Sequence, residues 1–392
     1  MKAFIVDADW SPRPDYPLSL EEERRKRAVS GSQVWKNSRF FQEVRPVPDL
    51  AAHEVLIRVK RCGICGSDTH LYETDADGYI IFSGPAKLPC IIGHEYSGLV
   101  EQVGSSVSNV TPGDIVAAES IVWCGTCTPC RSGAPNQCCQ AELAGITVDG
   151  ALADYAVVSS RQVWKIDSLA RHYSDELLFD IGALIEPVGC AYNGLFISAG
   201  GFLPGAAVAV YGAGPIGLGA VALAMASGAS QVLAFDFIPE RLAIAAKMGA
   251  SQVYDFNEVA AAGIRPRDIV LEQTAGRGAD VQVEAAGAAW QTIPEMEASL
   301  AVNGVIVYLG RAGRAVPITL DTLVTGANRI VGARGHAGCG IFPNIIRLLA
   351  AGRLPIEAMI TARLPFAETI HAIQRSSTRK DGKIIIKVDD KS

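Results

Sequence analysis

Ala206-Ala207-Val208-Ala209-Val210-Tyr211-Gly212-Ala213-Gly214-Pro215-Ile216-Gly217 is an apolar run that breaks into a glycine-rich turn. Ala206–Tyr211 predicts a buried strand, and Pro215–Ser227 a helix ended by Gly228, with proline at its first position and glycine just past its end. Gly212 permits the tight turn, Gly214 lets the backbone approach a pyrophosphate, and Gly217 lets helix and strand pack closely. The unpaired N–H groups and positive dipole of a helix that starts at Pro215, Ile216 and Gly217 favour phosphate charge. The next predicted strand, Gln231–Asp236, ends on a carboxylate 19 residues beyond Gly217. Asp236 can accept hydrogen bonds from the adenosine ribose and repels a 2′-phosphate, so NAD is expected in preference to NADP. Arg241 can reach the same ribose and slightly weakens that exclusion.

Outward from this turn the pattern divides. Beyond Gly205, apolar strands alternate with Ala-rich helices, as in a parallel α/β sheet, and Pro239–Met248 reads as a second helix. Residues 39–165 instead carry short β-type runs separated by Gly, Pro and Asp, which predict a barrel-like β lobe. From Ser174 a helix is expected toward Tyr192, and Lys383–Val388 reads as a strand that returns to the β lobe. The chain has 392 residues, 49% of them apolar, and a net charge of −6. That balance gives no general attraction to nucleic acid or to an anionic membrane. No uninterrupted apolar run approaches the roughly 20 residues of a membrane span. Ten cysteines without secretory features suggest a reducing compartment and metal ligation, hence a cytoplasmic protein.

Four of those cysteines, Cys124, Cys127, Cys130 and Cys138, stand at gaps of two, two and seven residues. They can close a tetrahedral thiolate shell around one zinc, with turns at Gly125 and Pro129. Cys139 is an alternative ligand, although its side chain is expected to point the other way. A shell of four sulfurs has no open position and holds a lobe together without chemistry. A second set is Gly63-Ile64-Cys65-Gly66-Ser67-Asp68-Thr69-His70, then Ile92-Gly93-His94-Glu95, then Ile185-Glu186-Pro187. Cys65 and His94 offer the sulfur and imidazole that zinc prefers, and a carboxylate is an acceptable third ligand. Three ligands leave one position open for water or substrate.

With the Gly93-His94-Glu95 triplet, the Cys65–His70 segment, the cysteine ladder, Glu186-Pro187 and the dinucleotide fingerprint, the chain resembles the zinc-dependent medium-chain dehydrogenase/reductase family over nearly its whole length. The resemblance implies a GroES-like β-rich catalytic domain (about 1–187 and 336–392) split around a Rossmann doubly wound NAD domain (about 188–335). It implies one catalytic and one structural zinc, and a homodimer or homotetramer, with Asn328–Ala333 as an edge strand able to extend a sheet between subunits. Substrate would lie in the cleft between domains. Cys65, His94 and Glu186 would hold the catalytic zinc, with Glu95 exchanging on and off. Ser67 would take the hydroxyl proton and pass it by way of the nicotinamide ribose toward His70, and Asp68 would orient His94. Glutamate at 186 resembles the sorbitol, threonine and glucose dehydrogenase branch. Gly31–Trp35, Asp77–Ile80, Trp123–Gly125 and Val188–Asn193 are similar to the scyllo-inosose dehydrogenase branch.

The expected reaction is hydride transfer between a secondary alcohol of a cyclitol or polyol and NAD. Amino-alcohol, threonine or aminocyclitol oxidation is the alternative, and a zinc- and NAD-binding protein without turnover the third. Glu73, Asp75, Asp77 and Tyr79 form either a polar wall for hydroxyls or a solvated loop, and Glu119 and Trp123 are further pocket candidates. The charged run Leu18–Arg27 reads as a capped surface helix or a partner site inside an unusual insertion around 10–38. Cys62, Cys90, Cys190 and Cys339 read as buried small residues.

Overall fold

A computed structural model describes residues 1–311 and 313–389. The chain forms two units: Met1–Glu186 with Ala362–Thr378 and the stretch from Lys383, and Pro187–Thr361 with Arg379–Gly382. In the second unit six parallel strands lie in the order Gln252–Asp255, Gln231–Asp236, Ala207–Tyr211, Ala279–Glu284, Leu300–Tyr308 and Arg329–Gly332. Ala207–Tyr211 sits inside the sheet with every residue buried, as a parallel strand covered on both faces requires. Arg329–Gly332 is an edge.

Two of the fingerprint glycines answer to a steric constraint. Gly212 has φ of 97°, and a Cβ there would lie 2.6 Å from the Ala286 nitrogen. A Cβ on Gly217 would fall 1.8 Å from the Gly212 carbonyl oxygen. Gly214, by contrast, faces open space, its nearest neighbour being an Arg241 guanidinium nitrogen at 3.6 Å. The helix that follows runs Pro215–Ala226.

The chain stays in this second unit to Thr361, later than residue 336 expected from the sequence. The reason is the helix Ile341–Ala350, which buries Ile341, Phe342, Ile345, Ile346 and Leu349. His336 belongs here too, packed so closely that a Cβ on Gly189 would lie 2.9 Å from its own Cβ. Cys339 is exposed and Cys190 half-buried, unlike Cys62 and Cys90, which are buried as expected. Cys339 sits at φ 53° between Gly338 and Gly340, both also left-handed. An all-turn stretch of this kind has no face to bury.

The first unit is β-rich. Val163–Lys165, Ile115–Ala118, Glu95–Val103, Glu54–Gly63, Lys383–Lys387 and Ile360–Pro365 make one sheet, with Tyr155–Ser159 also paired to Glu54–Gly63. The C-terminal strand pairs with the end of Glu54–Gly63, Ile385 opposite Gly63. That pairing brings residue 383 beside the segment that starts at Ile64. Asp175–Tyr192 is an 18-residue helix with Pro187 inside it, continued by a π-turn over Asn193–Ser198. Pro187 lacks the N–H that would bond the Ala183 carbonyl. The stretch Asp175–Ser198 is long and apolar enough to span a membrane by composition, yet 72% of its apolar 18-residue window is buried within the protein.

In the N-terminal insertion the charged run forms a capped surface helix, exposed at every residue of Leu20–Arg25 except Glu22. Ser19 and Glu22 close a reciprocal capping box at the start of Leu20–Arg25. Glu22 is only 6% exposed and also accepts from Tyr16 (2.7 Å) and the Val29 N–H (2.8 Å). Burial works to raise its pKa, but the Tyr16, Val29 and Ser19 hydrogen bonds outweigh it and hold the carboxyl below its usual range. Arg27 then reaches Glu142 at 3.0 Å and the Ala141 carbonyl at 2.9 Å. The charged run is therefore a docked element of the first unit.

Two candidate metal centres and a dinucleotide cradle

The sulfurs of Cys124, Cys127, Cys130 and Cys138 all lie within 4.8 Å of one another. Cys138 stands 3.6 Å from Cys124 and 3.8 Å from Cys127. Zinc–sulfur bonds of about 2.3 Å in a tetrahedron give sulfur–sulfur edges of about 3.8 Å, so the cage has the size of that ion. Backbone N–H groups of Thr126 and Cys127 point at the Cys124 sulfur, both at 3.4 Å. Together with the Thr126 hydroxyl, first among these causes, they hold its pKa down to about 5. Cys130 moves the other way, pushed up to about 12 by burial first and then by its neighbouring sulfurs. Four thiolates cannot coexist there without a cation, and a bound dication supplies one. Cys130→Ser should remove one zinc per chain and lower Tm by at least about 10 °C. A metal ligand contributes several kcal/mol, and each is worth roughly 2–4 °C in a unit of this size. Metal analysis and a thermal melt check both, and an unchanged melt with the zinc lost would show the loop to be dispensable.

The second cluster is built on the helix Gly66–Tyr72 and the strand that begins at Glu95. Cys65 sulfur, a His94 ring nitrogen and a Glu95 carboxylate oxygen lie within 4.8 Å of one another. Cys65 is the N-cap of the helix, and Asp68 closes the cap by accepting from the Cys65 N–H at 2.8 Å. The helix start therefore sets both residues at once. His94 Nε2 is 3.4 Å from Ser67 Oγ. Its Nδ1 and the Asp68 Oδ1 lie 4.0 Å apart, both buried and without a hydrogen-bond partner. A metal on Nε2 would place a proton on Nδ1, facing Asp68, and relieve both orphans. His70 follows Ser67 by three residues on the same helix face.

Glu186 does not meet the spacing of that cluster. Its Oε1 accepts from Ser120 Oγ at 3.0 Å, and its charge bears on both His94 and Glu95. Burial drives the Asp68 carboxyl up. Burial opposes a protonated His94, yet Cys65, Asp68 and Glu186 outweigh it and push that ring well above its usual range. A pocket this negative suits a dication.

Lys383 is the residue the sequence reading missed. Its Nζ lies 2.7 and 2.6 Å from the two Glu95 oxygens and donates to the Ile64 carbonyl at 3.0 Å. The lysine side chain is 0% exposed and the glutamate 1%. Burial alone would lower the lysine pKa, but Glu95 outweighs it and holds the ammonium charged. Glu95 is thus shared between the cluster and a buried counter-charge.

Other candidates are occupied elsewhere. Asp75 and Asp77 both pair with Arg13, whose guanidinium lies 3.9 Å from the Tyr79 ring centre. Glu119 is buried and accepts from Trp164 Nε1 at 2.9 Å, while the Trp123 ring faces Arg161 at 5.6 Å. In the cradle of the second unit, Asp236 accepts from the Ala213 N–H at 2.6 Å and the Ile238 N–H at 2.9 Å. This ties the strand end to the fingerprint turn. Arg241 is anchored by its Nε to the Asp381 carbonyl at 3.0 Å. Burial lowers its pKa.

Residues 51–168 match the alcohol dehydrogenase GroES-like domain and residues 215–351 the zinc-binding dehydrogenase domain. The chain is 35% identical to a scyllo-inosose 3-dehydrogenase of Thermotoga maritima, over 97% of this chain and 98% of that protein. It is 33% identical to an L-threonine 3-dehydrogenase of Bacillus licheniformis, over 88% and 94%. A solved Thermotoga maritima structure assigned as an alcohol dehydrogenase superposes with a TM-score of 0.93 at 34% identity, over 98% of this chain and 99% of that one.

Proposed function

Because the chain belongs to the zinc-binding, GroES-like alcohol dehydrogenase family and is an oxidoreductase, we propose that it oxidises a secondary alcohol of a cyclitol or polyol with NAD. The observation that carries this reading is the Cys65–His94–Glu95 cluster, with Ser67 hydrogen-bonded against its histidine. Cys65, His94 and Glu186 would hold the catalytic zinc, with Glu95 as the exchanging carboxylate, and the four-cysteine cage would hold a structural zinc. Zinc, when bound, supplies a Lewis acid that makes a substrate hydroxyl acidic. NAD, when bound, accepts the hydride released as the carbinol becomes a ketone.

The protein's own groups supply the rest. Ser67 Oγ takes the hydroxyl proton, since a hydroxyl can accept one proton while donating its own. His70, one helical turn on, carries an imidazole that can hand a proton on to solvent. With a metal on Nε2, Asp68 would face the Nδ1 proton and hold the His94 ring in one tautomer. Gly212, Gly214, Pro215, Ile216 and Gly217 cradle the pyrophosphate, while Asp236 and Arg241 meet the adenosine ribose. The edge strand Arg329–Gly332, paired on one side only among the described residues, supports a homodimer or homotetramer.

A cyclitol or polyol is favoured over an amino alcohol by the state of the acidic loop. An ammonium group would need a free carboxylate, and Asp75 and Asp77 already pair with Arg13. The test is NADH absorbance on zinc-replete protein offered inositols, inososes, aminocyclitols, sorbitol, threonine and simple alcohols, with NAD and NADP in parallel. Chelator-sensitive turnover on a cyclitol with NAD supports the proposal. Turnover confined to threonine or an aminocyclitol would replace it with the amino-alcohol reading.

A further inference from the structure

Residues 11–36 lie ahead of the matched domain, which starts at residue 51, and they are built into the protein. Two strand-like contacts bind them to residues 73–86. Ala28 and Ala86 exchange backbone hydrogen bonds at 2.9 and 3.1 Å, and the Ile80 N–H donates to the Trp35 carbonyl at 3.1 Å. Between these, the Gly31 N–H donates to Gly84 and the Ser32 N–H to Phe82, both at 2.8 Å. The approach is so close that a Cβ on Gly31 would lie 2.9 Å from the Phe82 carbonyl oxygen. The Phe82 N–H in turn donates to the His70 carbonyl at 3.1 Å, and Ile81 N–H to Glu73 at 3.1 Å. A helix leaves its last carbonyls without partners inside the helix. Here Phe82 satisfies one of them, that of His70, and Ile81 that of the C-cap Glu73 at the end of the helix Gly66–Tyr72.

Arg13 completes the clamp. It pairs with Asp75 and Asp77, lies over the Tyr79 ring, and ties itself back through Nε to the Ser32 carbonyl at 3.2 Å. One guanidinium thereby joins the insertion to residues 75, 77 and 79 of the turn. The far side of the insertion is fixed independently, through Arg27 to Glu142 beside the cysteine cage.

We propose that residues 11–36 are a positioning strap: they fix the His70 end of the Ser67 helix through residues 73–86, and so set the proton-release geometry of the reaction proposed above. The proposal rests on that reaction. It also gives the acidic loop a role, since Asp75 and Asp77 are handles for the strap. Displacing a proton-transfer group by about 1 Å can cost about 10²-fold in rate. Losing exposed ion pairs costs only about 1 kcal/mol or less of stability. Rate and stability therefore separate.

Arg13→Gln, Arg13→Lys and Gly31→Val test this on the zinc-replete full chain. Arg13→Gln and Gly31→Val should lower kcat at least about 10-fold, with KM for the alcohol and Kd for NAD within about twofold and the zinc content unchanged. Amide hydrogen exchange over residues 66–82 should quicken in both, and Arg13→Lys should recover most of the kcat. Unchanged kcat and unchanged exchange in Arg13→Gln would overturn the proposal, as would a lower Tm as its sole effect. Gly31→Val is the harsher change, and if it does not fold Arg13→Gln decides alone. If the wild-type protein oxidises no alcohol, the exchange measurement still reads the strap, and the failure belongs to the reaction.

Discussion

Cys65→Ala and His94→Ala are each expected to lower turnover by at least about 10³-fold while NAD binding stays within about twofold. A Lewis acid contributes several kcal/mol of charge stabilisation, and each 1.36 kcal/mol is a factor of ten in rate. Both side chains belong to the cluster in the first unit, whereas the proposed cradle, Gly212–Gly217 and Asp236, lies in the second. The two properties should therefore part cleanly. Metal analysis should show one zinc fewer per chain, and calorimetry with NAD should be unaltered. Undiminished turnover in either variant would remove the metal centre from the account.

Lys383→Met should destabilise the folded protein by about 3–5 kcal/mol. The substitution keeps the unbranched stem as far as Cε and removes the ammonium, which strands the Glu95 carboxylate in a fully enclosed site, and an uncompensated buried charge carries a penalty of that size. Adding Glu95→Gln should restore most of the loss, because the remaining groups are neutral. The double-mutant cycle isolates the pair, which a single substitution cannot do. Urea denaturation of the four proteins measures it. A Lys383→Met variant within about 0.5 kcal/mol of the wild type would mean that Glu95 does not depend on its counter-charge.

What could be read from the sequence was local. The glycine turn, the cysteine ladder and the Ser19–Glu22 cap are short-range patterns, each fixed by neighbours within a few residues, and the structure forms all three. Lys383 escaped because its partner Glu95 is 288 residues away. Within Lys383–Lys387 it reads as a polar strand end, and only the pairing of that strand with Glu54–Gly63 carries it inward. The strap escaped for a similar reason. Its helix was legible from charge and capping, but its docking depends on Arg13, Gly31 and Ser32 meeting residues 75–84, and no periodicity encodes that meeting. For the acidic loop the sequence alone allows either a polar wall or a solvated loop. Its residues 74–77 are exposed, as in a solvated loop, and a single arginine pairs with two of its carboxylates. The later return of the chain to the first unit reflects the buried helix Ile341–Ala350, whose packing partner composition does not reveal.

Zinc X-ray absorption on the purified wild-type protein, together with a metal count, tests the central claim most directly. Two zincs per chain with different shells predict an average of about 2.5 sulfurs per zinc at about 2.3 Å, four from the cage and one from Cys65, and lighter nitrogen and oxygen ligands at about 2.0–2.2 Å. One zinc per chain surrounded by sulfur alone would contradict the account, since it would leave Cys65, His94 and the buried carboxylates beside them with no metal to hold.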